Sequence, residues 1–195
     1  MKYEVPELSG LSKKSALYTL NRFLRGGGPK DHVSYALTIN FVRELDLAIH
    51  AYNEARKAII EFPKDRQTLQ FGLFILASGY FEQCIDLIRK AVLCLKAIKS
   101  HKDVPLDLKR QIQRGLKVLS GGAEKKCTEM RHAIQHLEEK IQKGEIVQGQ
   151  SLSLFPKEKS IELGNCEITY VEIFEWLGEL NEVSELFANY FEKDA

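Results

Sequence analysis

Residues 69–95, LQFGLFILASGYFEQCIDLIRKAVLCL, decide the architecture. No proline interrupts them, and apolar side chains cover most of a helical circumference. A helix that is apolar nearly all round belongs in a core, so a helix over 65–99 is the expected centre of the fold. Its most continuous apolar run, residues 71–81, falls far short of the roughly 20 residues that span a bilayer, and no membrane is expected. Gly72 and Gly79 each cost about 1 kcal/mol of helix propensity, which points to a close neighbour at both. Cys84 and Cys94 read as small core residues.

Working outward, Pro63 separates this helix from one over 32–61, with Asp31 as its N-cap. The apolar positions there are Val33, Ala36, Leu37, Phe41, Leu45, Leu47, Ala48, Tyr52, Ala55 and Ile59. A shorter helix over 12–25 is stopped by Gly26-Gly27-Gly28-Pro29. Those glycines follow no strand and lack the lysine–hydroxyl ending of a phosphate loop, so they read as a joint. Downstream, helices are expected over 105–120 and 122–143, broken at Gly121-Gly122. Residues 151–155, 160–163 and 166–169 alternate like short antiparallel strands, with turns at 156–159 and at Gly164-Asn165. Thr169 followed by Glu172 is a capping box that opens a last helix over 170–191, where Trp176 packs with Ile173, Phe174, Leu177 and Leu180.

The expected fold is therefore all-α: a helical bundle with a small β-hairpin inserted before the C-terminal helix, one domain over 1–195. Its parts are an N-terminal helix and glycine-rich joint (1–30), a core bundle (31–143), the hairpin (145–169) and an acidic C-terminal helix (170–195).

Composition agrees with a packed protein: of 195 residues, 44% are hydrophobic and 28% charged. The first twenty residues carry no basic-then-apolar leader. The four cysteines, at 84, 94, 127 and 166, have neither metal-knuckle nor redox spacing. Cytoplasmic thiols are the expectation. The net charge of +1 is unevenly spread: residues 151–195 hold 3 Lys/Arg against 10 Asp/Glu, a net of −7, and the rest of the chain carries +8. That asymmetry favours an anionic partner for the basic body, an internal match between the two parts, or both.

The helix over 122–143 carries the chemistry. At 100° per residue, Cys127, Met130, Ile134, Leu137 and Ile141 fall within about 80° of one another and form its core seam. Lys125, His132, His136 and Lys143 lie opposite, Glu129 and Glu139 flank that line, and Arg131 sits on the shoulder of the seam. The histidines thus point toward solvent or a second subunit. Three readings stand open. The face is an ordinary exposed one, supported by pairs such as Lys125–Glu129 and Glu139–Lys143. Alternatively, His132 and His136, one turn apart, converge on a metal with Glu139, although no His-Glu-x-x-His motif is present and His32, His50 and His101 stand isolated. In the third reading the face does acid–base work on a phosphodiester. Arg131 supplies a planar cation for phosphate oxygens and His136 a group that exchanges protons. The two are separated by about 7.5 Å of rise and about 140° of rotation, so a symmetric dimer joins them more readily than one helix does.

The segment Arg131-His-Ala-Ile-Gln-His136 resembles the signature of the HEPN superfamily, an arginine, a polar residue, and a histidine after a short fixed gap. The resemblance extends over residues 33–143. It implies a metal-independent ribonuclease centre formed where the motif helices of two subunits meet, as in toxin–antitoxin, phage-defence and RNA-processing proteins. It makes His136 the catalytic histidine, Arg131 the phosphate-binding arginine and His132 the orienting polar residue. The charge of Lys125 and Lys143 on the same face makes them candidates for further phosphate or RNA contacts. No metal or other cofactor is implied. The implied partners are a second copy, RNA, and an antitoxin or nucleotidyltransferase. The alternative is a non-catalytic helical RNA- or protein-binding subunit, such as a nucleotidyltransferase partner. The ten Lys/Arg against six Asp/Glu in residues 102–143 suit either role.

Overall fold

Asp31 opens the first long helix: its carboxylate accepts the Ser34 backbone N–H at 2.8 Å and satisfies one of the helix's four unpaired donors. The computed structural model describes residues 3–11, 14, 31–62, 71–113, 116–119, 122–145 and 153–192. Its elements are α1 (His32–Glu61), α2 (Phe71–Ser100), α3 (Leu106–Gln113), a 3-10 turn (Lys117–Leu119), α4 (Gly122–Lys143), β1 (Phe155–Pro156), β2 (Ser160–Leu163), β3 (Cys166–Thr169) and α5 (Tyr170–Glu192). This is an all-α bundle with a three-stranded antiparallel sheet inserted before its last helix. Apart from Lys14, the helix expected over 12–25, the glycine joint and residues 65–70 lie outside the described residues.

Helices α1 and α2 form an antiparallel hairpin that makes the largest helix contact in the fold. Ser34 at its start meets His101, Tyr52 meets Phe81 with ring centroids 6.3 Å apart, and Phe62 meets Phe74 at 5.7 Å. Fully buried alanines on both helices, Ala48, Ala51 and Ala55 on α1 and Ala77 and Ala91 on α2, leave room for this pairing. Each Phe, Ile or Leu buried among them contributes about 1.5–3 kcal/mol. Tyr3 and Val5, from an extended N-terminal stretch, join the same core: the Tyr52 hydroxyl donates to the Pro6 carbonyl at 2.9 Å and Arg56 Nε to that of Val5 at 3.1 Å.

Several expectations are corrected. In the first turns of α1, Ser34 and Thr38 are buried while Val33 and Ala36 are exposed, as is Leu47 further on. Ser34 hydrogen-bonds His101 and Thr38 back-bonds the Ser34 carbonyl at 2.8 Å, so both hydroxyls enter the core satisfied. On α2, no neighbouring atom among the described residues lies within 4 Å of a Cβ added at Gly72 or Gly79. Phe71, Ile75 and Leu76 are exposed and Cys94 is only half-buried, so α2 is central only from about Ala77 onward. Among the described residues α2 is also the one helix long and apolar enough to cross a membrane, although the expected run of 71–81 is too short; here it serves as the core helix. The helix expected over 105–120 ends by Gln113. Lys117–Leu119 is a separate 3-10 turn, docked on α5 where the Val118 N–H donates to Glu179 Oε2 at 2.8 Å. Ile141 is 48% exposed, because the last turn of α4 outruns the bundle, and Phe174 is likewise partly open. Pro156 belongs to β1 rather than to the turn, on an edge strand that tolerates a missing N–H.

The sheet has the order β1-β2-β3, with Leu163 opposite Cys166 across Gly164-Asn165. Gly164 adopts φ +60° and, among the described residues, no non-glycine residue, Asn165 included, has positive φ, which marks a type II′ turn. At the start of α5 the Thr169 N–H donates to Glu172 Oε2 at 2.9 Å and the Glu172 N–H donates to Thr169 Oγ1 at 3.2 Å, the reciprocal capping box. Part of the charge asymmetry is matched internally: Lys126 of α4 pairs with Glu172, and Lys14 with Glu185 at 2.6 Å.

Candidate functional site

Cys127, Met130 and Leu137 are buried and Ile134 is half-buried, so the seam of α4 packs inward as its periodicity requires. His132, His136, Lys125 and Lys143 are all exposed. The His136 side chain is 73% exposed, with Nδ1 3.5 Å from Glu139 Oε2 one turn on. Lys125 Nζ lies 3.8 Å from Glu129. The histidine face is therefore outside the core of its own subunit.

Two recesses flank α4. On one side Arg131, Gln135 and Glu138 face Glu82, Ile85 and Asp86 of α2 across a hollow of about 400 Å³. Arg131 forms an ion pair with Asp86 there. The same carboxylate holds Lys90 at 2.7 Å and Arg89 at 3.6 Å. Burial pushes the Asp86 carboxyl up, but the Lys90 hydrogen bond and the charges of Lys90 and Arg131 outweigh it and hold it below its usual range. Glu82, in the same hollow, is raised, chiefly by burial. On the other side, Ala133, His136, Leu137 and Lys140 face Phe155, Glu162, Leu163 and the Gly164-Asn165 turn across a cleft of about 520 Å³. Arg131 and His136 of one chain therefore open onto opposite flanks of the helix, and one subunit does not bring them together.

His132, His136 and Glu139 form no compact ligand set. Among the described residues, one group of His, Cys, Asp and Glu offers three ligand atoms within 4.8 Å of one another: Asp31, His101 and Asp103. His101, read from the sequence as isolated, is thus part of a cluster. Its Nδ1 lies 2.9 Å from Ser34 Oγ and accepts the Asp103 N–H at 3.4 Å, and its Nε2 is 3.6 Å from Asp31 Oδ2. Asp31 is itself held low by the Ser34 N–H, against a smaller rise from burial, and the neighbouring His101 lowers it further. The cluster ties the start of α1 to the end of α2. The sequence held no local signal for it, since residues 31 and 101 meet only once α1 and α2 pair antiparallel.

Compared with family models, curated proteins and solved structures, the chain finds no match.

Proposed function

We propose that this chain is a metal-independent endoribonuclease of the HEPN kind, acting as a homodimer in the cytoplasm, in a toxin or phage-defence role. The observation that carries the reading is the place of His136: exposed on α4, outside the core, at a cleft it shares with Lys140 and one turn from the Glu139 carboxylate. In this reaction the ribose 2′-hydroxyl gives its proton to His136 and attacks the adjacent phosphorus. The bond from phosphorus to the 5′-oxygen breaks, that oxygen takes the proton back from His136, and the products are a 2′,3′-cyclic phosphate and a free 5′-hydroxyl. Arg131 stabilises the charge growing on the phosphoryl oxygens, His132 orients the site, and Lys125 and Lys143 hold flanking phosphates. Since Arg131 and His136 of one α4 face apart, a second α4 completes the site.

A second reading has its own support. The Arg131–Asp86 ion pair gives the arginine a structural task between α2 and α4, which suits a non-catalytic RNA- or protein-binding subunit that partners an antitoxin or nucleotidyltransferase. The deciding experiment is cleavage of structured and unstructured RNA in EDTA by wild type and His136→Ala, with product ends analysed and mass measured by light scattering. Cyclic-phosphate ends from a dimer, lost in the variant, support the nuclease. Intact RNA, or equal cleavage by both proteins, supports the binding subunit.

A further inference from the structure

We propose that the cleft between α4 and the sheet is a nucleobase subsite, in which an unpaired base stacks on Phe155 beside the phosphodiester presented to His136. This deepens the ribonuclease reading and rests on it for the identity of the ligand. At about 520 Å³ the cleft lies within the roughly 300–1,000 Å³ range of pockets that hold small molecules.

Strand β1 turns Pro156 into the core and leaves Phe155 46% exposed. A solitary exposed phenylalanine would need no explanation. This one is held from behind by Phe74, with ring centroids 5.0 Å apart at a 57° tilt. Phe74 thus backs the ring on one side while part of it stays open, at the lining of the cleft. Ala133, Leu137 and Leu163 supply apolar wall. At the rim, Asn165 is exposed at the tip of the type II′ turn, and its amide offers a donor and an acceptor to a base edge. Lys140 and His136 line the opposite wall, where the backbone of a stacked nucleotide would run. The one carboxylate in the sheet wall, Glu162, is ion-paired with Lys157, which reduces its repulsion of phosphate. An aromatic platform, a polar edge reader and a cationic lip together are the elements of single-strand recognition. A paired base cannot reach such a platform, so the subsite selects unpaired substrate.

The test uses the full chain and a fluorescent single-stranded DNA 12-mer, which lacks the 2′-hydroxyl and so reports binding without cleavage. Stacking of one base corresponds to a ~5- to 150-fold change in affinity. Phe155→Ala should weaken binding of the single strand by that factor, Phe155→Tyr should restore it, and Phe155→Leu, which keeps bulk without a π-face, should not. Duplex of the same sequence should be indifferent to all three. An abasic strand should lose affinity for wild type but not for Phe155→Leu. Equal affinity of wild type and Phe155→Leu, equal losses for duplex and single strand, or no binding by wild type overturns the subsite. Wild type that binds through Phe155 yet leaves RNA intact in EDTA retains the subsite and defeats the nuclease reading; the converse result defeats the subsite alone.

Discussion

Arg131 of α4 is ion-paired with Asp86 of α2, and that carboxylate also binds Lys90 and Arg89 of its own helix. One acidic group thus sits among three cations, partly shielded from water. Asp86→Asn should lower stability near neutral pH by about 0.2–1 kcal/mol, the range of partly exposed pairs. The pH dependence has a definite sign. The native carboxyl lies below its ordinary value of 3.8, so its contribution is complete above that pH and fades as pH falls through the lower native value. Urea midpoints of wild type and Asp86→Asn should differ at pH 6 and converge in acid. Arg131→Ala should cost a similar amount, and the double variant less than the two singles together. Additive losses would show that the pair contributes nothing.

His136→Ala should separate chemistry from folding. The side chain is 73% exposed and lies on the face opposite the seam, so the change should stay within roughly 0.5 kcal/mol. Any RNA cleavage should fall by about 10²–10⁴, the weight of a proton-transfer group. His132→Ala should fall less, in keeping with an orienting role. Circular dichroism and cleavage in EDTA on the same preparations measure both quantities.

The thiols should divide into two classes. Burial pushes Cys127 up to about 12 and raises Cys84 further, with each other's proximity adding at Cys84. Both are therefore protonated and inaccessible in the native state. Cys94 and Cys166 are half-buried and raised less, by burial first and then by Glu44 and Glu129 respectively. A thiol-disulfide reagent at pH 8 should label Cys94 and Cys166 slowly and the other two only on unfolding. Rapid native labelling at Cys84 or Cys127 would contradict the packing of α4 against α2.

What was legible in the chain followed from local rules. The ends of α1 were marked by Asp31 and Pro63, the start of α5 by Thr169 and Glu172, and the β2–β3 turn by Gly164-Asn165. The exposed face of α4 followed from rotation alone. Partners from distant sequence were not legible. Ser34 and Thr38 are polar by type, and only His101, 67 residues beyond Ser34, explains the burial of that edge. Arg131 could be placed on a shoulder of α4, but its engagement depends on Asp86 from another helix. Phe155 read as an ordinary strand residue, because its value lies in the cleft it helps form with α4.

Gly79 tests the clearest of these failures. A glycine in the middle of a 30-residue helix suggests that something packs too close for a Cβ. In the structure the position is exposed, its φ is not positive, and among the described residues no atom outside its own helix and chain neighbours lies within 4 Å of an added methyl. Nothing then opposes the helix preference of alanine, which also narrows the unfolded ensemble. Gly79→Ala should therefore stabilise the protein by about 0.5–1 kcal/mol, raising the urea midpoint at constant slope. Gly164→Ala, at φ +60°, should do the opposite by about 1–2 kcal/mol. If Gly79→Ala lowers the midpoint instead, the face of α2 around residue 79 is covered, by another part of the chain or by a second copy. Repeating the melt at low and high protein concentration separates the two, since a second copy makes the loss grow with concentration and a contact within one chain does not.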